Sequence, residues 1–175
     1  MRLLDKARLL KPDHPVLQRF GRLLGVGASG EVYAYYNKAV KISVTTTAGW
    51  AALDEKLTAV SAHRNPSLVK LFGHDSFGAL SGYTYYYVVM EQLEPIIDDA
   101  EGENVCTRAT NALTGTDYEI PYPESIVDRA RLDEFRRALT ELPFDHNDIH
   151  AGNVMRARDG KLRLIDVESL CLRPV

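Results

Sequence analysis

Apolar and polar positions along this chain repeat at helical spacing in three places and in short strand-like runs over much of what lies between. Near the start, Leu3, Leu4, Leu9 and Leu10 stand among Arg2, Lys6 and Arg8, a pattern for a short amphipathic helix that Pro12 stops. Such a helix is expected to pack on the back of the segment that follows, with docking to a partner as the alternative. From Phe20 the pattern changes to strands. Arg22-Leu23-Leu24 leads into a glycine-rich loop, Glu31-Val32-Tyr33-Ala34-Tyr35 leads out of it, and Ala39-Val40-Lys41-Ile42 follows an Asn37-Lys38 turn. On that strand Lys41 points opposite to Val40 and Ile42, so if those two face a core the ammonium faces a cleft.

Trp50, Leu53, Leu57 and Val60 form one apolar stripe, which predicts a helix over residues 48–62 with N-cap candidates in Thr45-Thr46-Thr47. Two further strands are expected at about 68–74 and 83–90, separated by Gly78-Ala79-Leu80-Ser81-Gly82. Tyr83, Tyr85, Tyr86 and Tyr87 alternate faces on the second of these and are expected to pack, rather than to form a base-stacking surface. Residues 95–123 have an acidic beginning, Asp98-Asp99-Ala100-Glu101-Gly102-Glu103, and read as a linker or loop with one short helix. A docking site for a basic partner is the sharper reading of that run. Leu132, Phe135, Leu139 and Leu142 then predict a helix over 124–142, with Asp133 and Arg137 placed for an i,i+4 pair.

The 175 residues suffice for one ordinary domain or two small lobes, and 45% hydrophobic with 26% charged residues is globular usage. A net charge of −3 argues against general nucleic-acid binding, which needs an excess of Lys and Arg. No apolar run is long enough to span a bilayer, and the N-terminus has no signal-peptide pattern, so a cytoplasmic protein without membrane contact is expected. Cys106 and Cys171 are too few for a disulfide framework or a zinc site and read as ordinary thiols.

Two stretches carry candidate chemistry. The first is Gly25-Val26-Gly27-Ala28-Ser29-Gly30, a G-x-G-x-x-G run shared in spelling with dinucleotide-binding loops. A dinucleotide loop opens a helix, whereas here Val32, Tyr33, Tyr35 and Tyr36, all strand formers, come next, so a strand-loop-strand flap is expected. Its glycines let backbone N–H groups approach phosphate oxygens. The second stretch, residues 144–168, holds Asp148 and Asn153 five apart and Asp166 thirteen further on. Val154-Met155 and Leu162 to Ile165 flank Asp159-Gly160, which fits a hairpin that brings Asn153 and Asp166 together beside the loop carrying Asp148. An Asn and an Asp are hard oxygen ligands suited to Mg²⁺, and the remaining aspartate is then free to orient a hydroxyl and accept its proton.

His146-Asn147-Asp148-Ile149-His150-Ala151-Gly152-Asn153 resembles the catalytic loop H-R-D-L-x-x-x-N of protein kinases, with Asp166-Val167-Glu168 where D-F-G would stand. The Asp-Ile-His-Ala-Gly-Asn wording is also similar to the aminoglycoside-phosphotransferase branch. Ala39 to Ile42 resembles the kinase strand V-A-I-K with its last two letters exchanged, and Val88-Val89-Met90-Glu91-Gln92-Leu93 looks like a kinase hinge with Met90 as gatekeeper. The resemblance spans about residues 20–170 and implies an α+β, bilobal, protein-kinase-like fold. Its N-lobe, residues 20–91, would be a five-stranded antiparallel sheet plus one helix, preceded by an extension over 1–19. Residues 92–175 would hold the hinge and a much reduced helical C-lobe, because nine residues after Asp166 leave no room for an activation segment or the later helices.

The resemblance further implies ATP and Mg²⁺ as cofactors and a phosphotransferase, foremost a minimal serine/threonine protein kinase. ATP would lie against Gly25, Gly27, Ala28, Ser29, Gly30, Val32, Ala39, Lys41, Met90, Glu91 and Leu93, with Val32 over the adenine. Lys41 would hold the α- and β-phosphates and be fixed by Glu55, with Asp54 as the rival on the same helix. Asn153 and Asp166 would hold the metal, Asp148 would be the catalytic base, His146 would brace the loop, and His150 would either contact the γ-phosphate or serve as a structural hydrogen-bonding group. Truncated kinases of this kind resemble early-expressed kinases of podovirus-type phages and small effector kinases of bacterial pathogens. That implies protein substrates, host proteins among them, an activating partner to complete the C-lobe, and the host cytoplasm as location. The alternatives are a weak pseudokinase or partner-binding module, and a small-molecule kinase of the aminoglycoside-phosphotransferase type.

Overall fold

The computed structural model describes residues 2–96, 107, 110–111, 113–114, 128–146 and 148–172. The acidic run at 98–103, Cys106, Asn147 and positions 124–127 lie outside the described residues. The chain is mixed α+β and divides into two compact units, residues 1–63 with 70–92 and residues 64–69 with 93–175. Among the described residues no helix is long and apolar enough to cross a membrane.

The first unit is built on five antiparallel strands: β1 (Leu23–Gly27), β2 (Gly30–Tyr35), β3 (Lys38–Thr46), β4 (Leu71–Leu80) and β5 (Tyr83–Glu91), in the order β1-β2-β3-β5-β4. Helices α1 (Leu3–Leu10) and α2 (Trp50–Ala62) cover its two faces. Period-two alternation decides which side chains each helix receives. Val40, Ile42, Tyr85 and Phe77 pack with Leu4 and Ala7 of α1 in one buried cluster. Tyr86, one residue on from Tyr85, instead meets Trp50 of α2 with ring centroids 5.4 Å apart. Full burial of side chains such as Phe77 and Ile42 contributes about 2 kcal/mol each relative to exposure, so the α1 face is a substantial part of this unit's core. Residues 1–19, set apart as an extension by their sequence, therefore belong to the sheet that follows.

β4 departs from expectation: it runs from Leu71 to Leu80, not 68–74. Register shifts between Leu71 and Gly73 and between Ser76 and Gly78 break its alternation, which hides its length from a periodicity reading. Residues 67–69 pair elsewhere, in the second unit. There Leu164 N–H donates to the Ser67 carbonyl at 2.7 Å and Val69 N–H to the Leu164 carbonyl at 3.0 Å.

The second unit contains β6 (Glu94–Pro95), α3 (Arg129–Thr140), β7 (Phe144–His146), β8 (Val154–Arg156), β9 (Leu162–Leu164) and β10 (Leu170–Leu172). Asp128 caps α3 by accepting the Arg131 N–H at 2.8 Å, and Leu132, Phe135 and Ala138 form its buried stripe. β7 pairs with β10, and β8 lies between β6 and β9. Gly160 closes the β8–β9 turn with φ at 78°, a left-handed conformation that costs glycine little.

Candidate functional site

In the first unit, Ala28 and Ser29 form the turn between β1 and β2, with Gly27 and Gly30 as the closing pair. This is the strand-loop-strand flap expected from the strand formers after Gly30. A Cβ added at Gly25 or Gly27 would meet nothing within 4 Å, so the β1 side of the flap is open to approach. Gly30 differs: a Cβ there would lie 2.4 Å from the Ile42 carbonyl oxygen, because β2 crosses β3 closely at this point.

Lys41 stands in register with Val32 on β2 and Val88 on β5, while Ala39 pairs with Met90. Val40 and Ile42 are fully buried against α1, so Lys41 lies on the other face, as the alternation required. Only 8% of it is exposed. An ammonium that far from water needs anionic or polar company. Met90 and Glu91 end β5, and the Glu91 N–H donates to the Lys70 carbonyl at 2.9 Å. Leu93 is half-buried and counts with the second unit.

Neither carboxylate proposed for Lys41 is ion-paired to it among the described residues. Glu55 is exposed, and Asp54 pairs with His74 Nε2 at 3.3 Å. Asp54 lies nearer the apolar stripe of α2 and so faces the sheet, where β4 offers a histidine; Glu55 lies on the flank.

In the second unit, Asp148, Asn153 and Asp166 are brought together by the β8–β9 hairpin. Ile165 N–H donates to the Asn153 carbonyl at 2.8 Å, which extends the ladder past Val154–Leu164 and leaves Asp166 next in line. The Asn153 amide donates to the Asp148 carbonyl at 3.0 Å and to Asp148 Oδ2 at 3.1 Å. With its nitrogen committed to these acceptors, Asn153 keeps Oδ1 for another partner. Asp166 has φ 50° and ψ 47°, a left-handed conformation uncommon for aspartate, and Ser169 Oγ donates to its Oδ2 at 2.8 Å.

The loop is held by its histidines. His146 Nδ1 accepts the Asp148 N–H at 3.1 Å, and His150 Nδ1 accepts the Gly152 N–H at 3.0 Å. His150 Nε2 stands 3.6 Å from Asp148 Oδ2. Thr110 Oγ1 accepts the Ala151 N–H at 3.0 Å, a brace that no sequence pattern announced. Burial lowers the pKa of His146, against the opposing pull of Asp166 and Asp148. A neutral His146 can accept from Asp148 N–H, which is the bracing its position suggested.

Among the described residues no three His, Cys, Asp or Glu side chains form a metal-holding group. The candidate donors are one amide oxygen, on Asn153, and one carboxylate, on Asp166. So sparse a set does not suit zinc or calcium; it suits Mg²⁺, which keeps most of its waters and takes further ligands from phosphates. Asp148, 59% exposed at its side chain, remains outside that pair and reachable by an incoming hydroxyl. No protein-family model matches the chain, and no curated protein matches it.

Proposed function

We propose that this chain is an ATP- and Mg²⁺-dependent phosphotransferase, a minimal serine/threonine protein kinase in the family it resembles. One observation carries the reading: Asp148, Asn153 and Asp166, the first and last of them eighteen positions apart in sequence, converge on one hairpin end with Asn153 bonded to Asp148 and Asp166 held in a left-handed conformation. The resemblance assigns those three residues to metal binding and proton acceptance, and the local geometry is compatible with both roles.

In this reading the flap N–H groups and the Lys41 ammonium bind the phosphates of ATP, and Val32, Ala39, Met90, Glu91 and Leu93 contact its base. Asn153 Oδ1 and the Asp166 carboxylate would hold Mg²⁺, which when bound neutralises charge on the phosphates. Asp148 Oδ1 or Oδ2 orients the acceptor hydroxyl and takes its proton as the oxygen–phosphorus bond forms and ADP leaves. His146 and His150 hold the loop backbone so that Asp148 keeps its position. Asn153 restrains the same carboxylate by a direct hydrogen bond. The likeness to phage and effector kinases supports proteins of a host cell as acceptors, and an activating partner.

A second reading, a nucleotide- or partner-binding module without transfer, is favoured by the exposure of Glu55, the helix carboxylate that the resemblance assigns to a catalytic role. Incubation with γ-labelled ATP and Mg²⁺ separates the two. Label should pass to proteins of a cell extract with the native chain and fall at least a hundredfold with Asp148→Ala and with Lys41→Ala. Label transfer unaffected by either substitution, or absent with the native chain, overturns the enzyme reading. Transfer to amine or sugar acceptors but to no protein would move the assignment to small-molecule phosphorylation.

A further inference from the structure

Ser43 is the most deeply buried polar side chain of the first unit, 2% exposed, and the roles assigned above make no use of it. It stands on β3 two residues beyond Lys41, hence on the same face, and directly opposite Gly30 in the β2–β3 register. Its Oγ donates a hydrogen bond to the carbonyl of Ser29, in the flap turn. The missing side chain at Gly30 makes this contact possible. A Cβ there would stand 3.3 Å from Ser43 Cβ and 2.4 Å from the Ile42 carbonyl oxygen, so any larger residue would push β2 away from β3.

We propose that Ser43 is a positioning residue for the phosphates of ATP, acting by fastening the Ala28-Ser29 turn to the strand that carries Lys41. Two residues joined by a tight turn, with open space around Gly25 and Gly27, have several peptide orientations within reach. A buried hydroxyl that takes the Ser29 carbonyl fixes one peptide plane. The following N–H, antiparallel to that carbonyl in a trans peptide, is fixed with it. The turn and the ammonium are then organised by one strand before ATP arrives, which lowers the ordering cost of binding. β2 is secured just past the turn as well, where the Glu31 carboxylate accepts the N–H groups of Leu3 and Leu4 at 3.3 Å each.

This inference rests on the flap being the phosphate-binding element, and the test separates the two. The full-length native chain, Ser43→Ala, Ser43→Thr and Lys41→Ala would be compared for ATP and adenosine dissociation constants, melting temperature, and KM and kcat. Ser43→Ala should weaken ATP about fivefold, the factor one neutral hydrogen bond carries, while adenosine affinity and kcat at saturating ATP stay within twofold. Ser43→Thr, which keeps the hydroxyl, should restore most of the ATP affinity. Equal ATP binding by Ser43→Ala and native chain, or an equal loss for ATP and adenosine, overturns the inference alone when Lys41→Ala still weakens ATP. No ATP binding by the native chain, or no effect of Lys41→Ala, overturns the reading on which it depends.

Discussion

Replacing Glu31 by Gln tests how the N-terminal helix is attached to the strand that leaves the glycine turn. Glu31 is 9% exposed, and its carboxylate accepts three hydrogen bonds: the N–H groups of Leu3 and Leu4, and the Tyr33 hydroxyl at 2.7 Å. Gln keeps the shape and one acceptor oxygen, but loses the charge and the second acceptor. A bond to a charged group is worth about 1.5–3 kcal/mol against about 1 for a neutral pair, and an anion at a helix N-terminus adds about 0.3–1. Together these give a loss of about 2–3 kcal/mol at neutral pH. The pH dependence supplies a second reading of the same cluster. Burial first, then the hydrogen bond and charge of Glu31, raise the Tyr33 pKa to about 12, with Arg2 opposing. Below pH 10 the tyrosine is neutral both folded and unfolded, so the stability is fully present. Between pH 10 and 12 the unfolded chain loses the proton first, so stability falls across that window. Urea melts at pH 7 and at steps from pH 9 to 11.5, on native chain, Glu31→Gln and Tyr33→Phe, measure both effects. Glu31→Gln should lower neutral stability and show a shallower alkaline decline, and Tyr33→Phe should lack Tyr33's share of that decline. A Glu31→Gln chain within 0.5 kcal/mol of native at pH 7, or a Tyr33→Phe chain with an unchanged alkaline slope, would refute the reasoning.

Gly30→Ala forces a Cβ against the Ile42 carbonyl, where Gly25→Ala enters open space. Thermal melts should show a loss of about 2 kcal/mol for the first and under about 0.5 for the second, with ATP affinity reduced more by the first. Asp166→Gly removes the carboxylate assigned to Mg²⁺ while relieving a left-handed residue, and also deletes the acceptor of Ser169 Oγ. The relief and the bond to Ser169 are each worth about 1 kcal/mol and offset one another, while Mg²⁺-dependent transfer should fall at least a hundredfold. A large fall in melting temperature with transfer retained would place Asp166 among structural residues.

Local chemistry was readable along the chain wherever the deciding contacts are also local. Strand formers after Gly30 pointed to a flap rather than a helix-opening loop, and the flap is there. Asp159-Gly160 between two apolar runs marked a hairpin, and with it the approach of Asn153 to Asp166, because a tight turn sets the register of its strands. The face taken by Lys41 followed from strict alternation with Val40 and Ile42.

Pairings between distant segments were not readable in this way. That Glu31 would meet the start of α1, that His74 would take Asp54 and leave Glu55 exposed, and that Ser43 would reach Ser29 depend on how β2, β3 and β4 lie against one another and against the helices. A side chain's identity states what it can bond to but not which donors arrive. Arrival is set by strand order and by close approaches such as that at Gly30, which exist only once the sheet has formed. The amino-acid sequence thus determined the turns, the periodic faces and the stock of carboxylates, amide and lysine. The tertiary structure alone decided which of them became partners, because hydrogen bonds act over about 3 Å and only packing brings residues from distant positions that close.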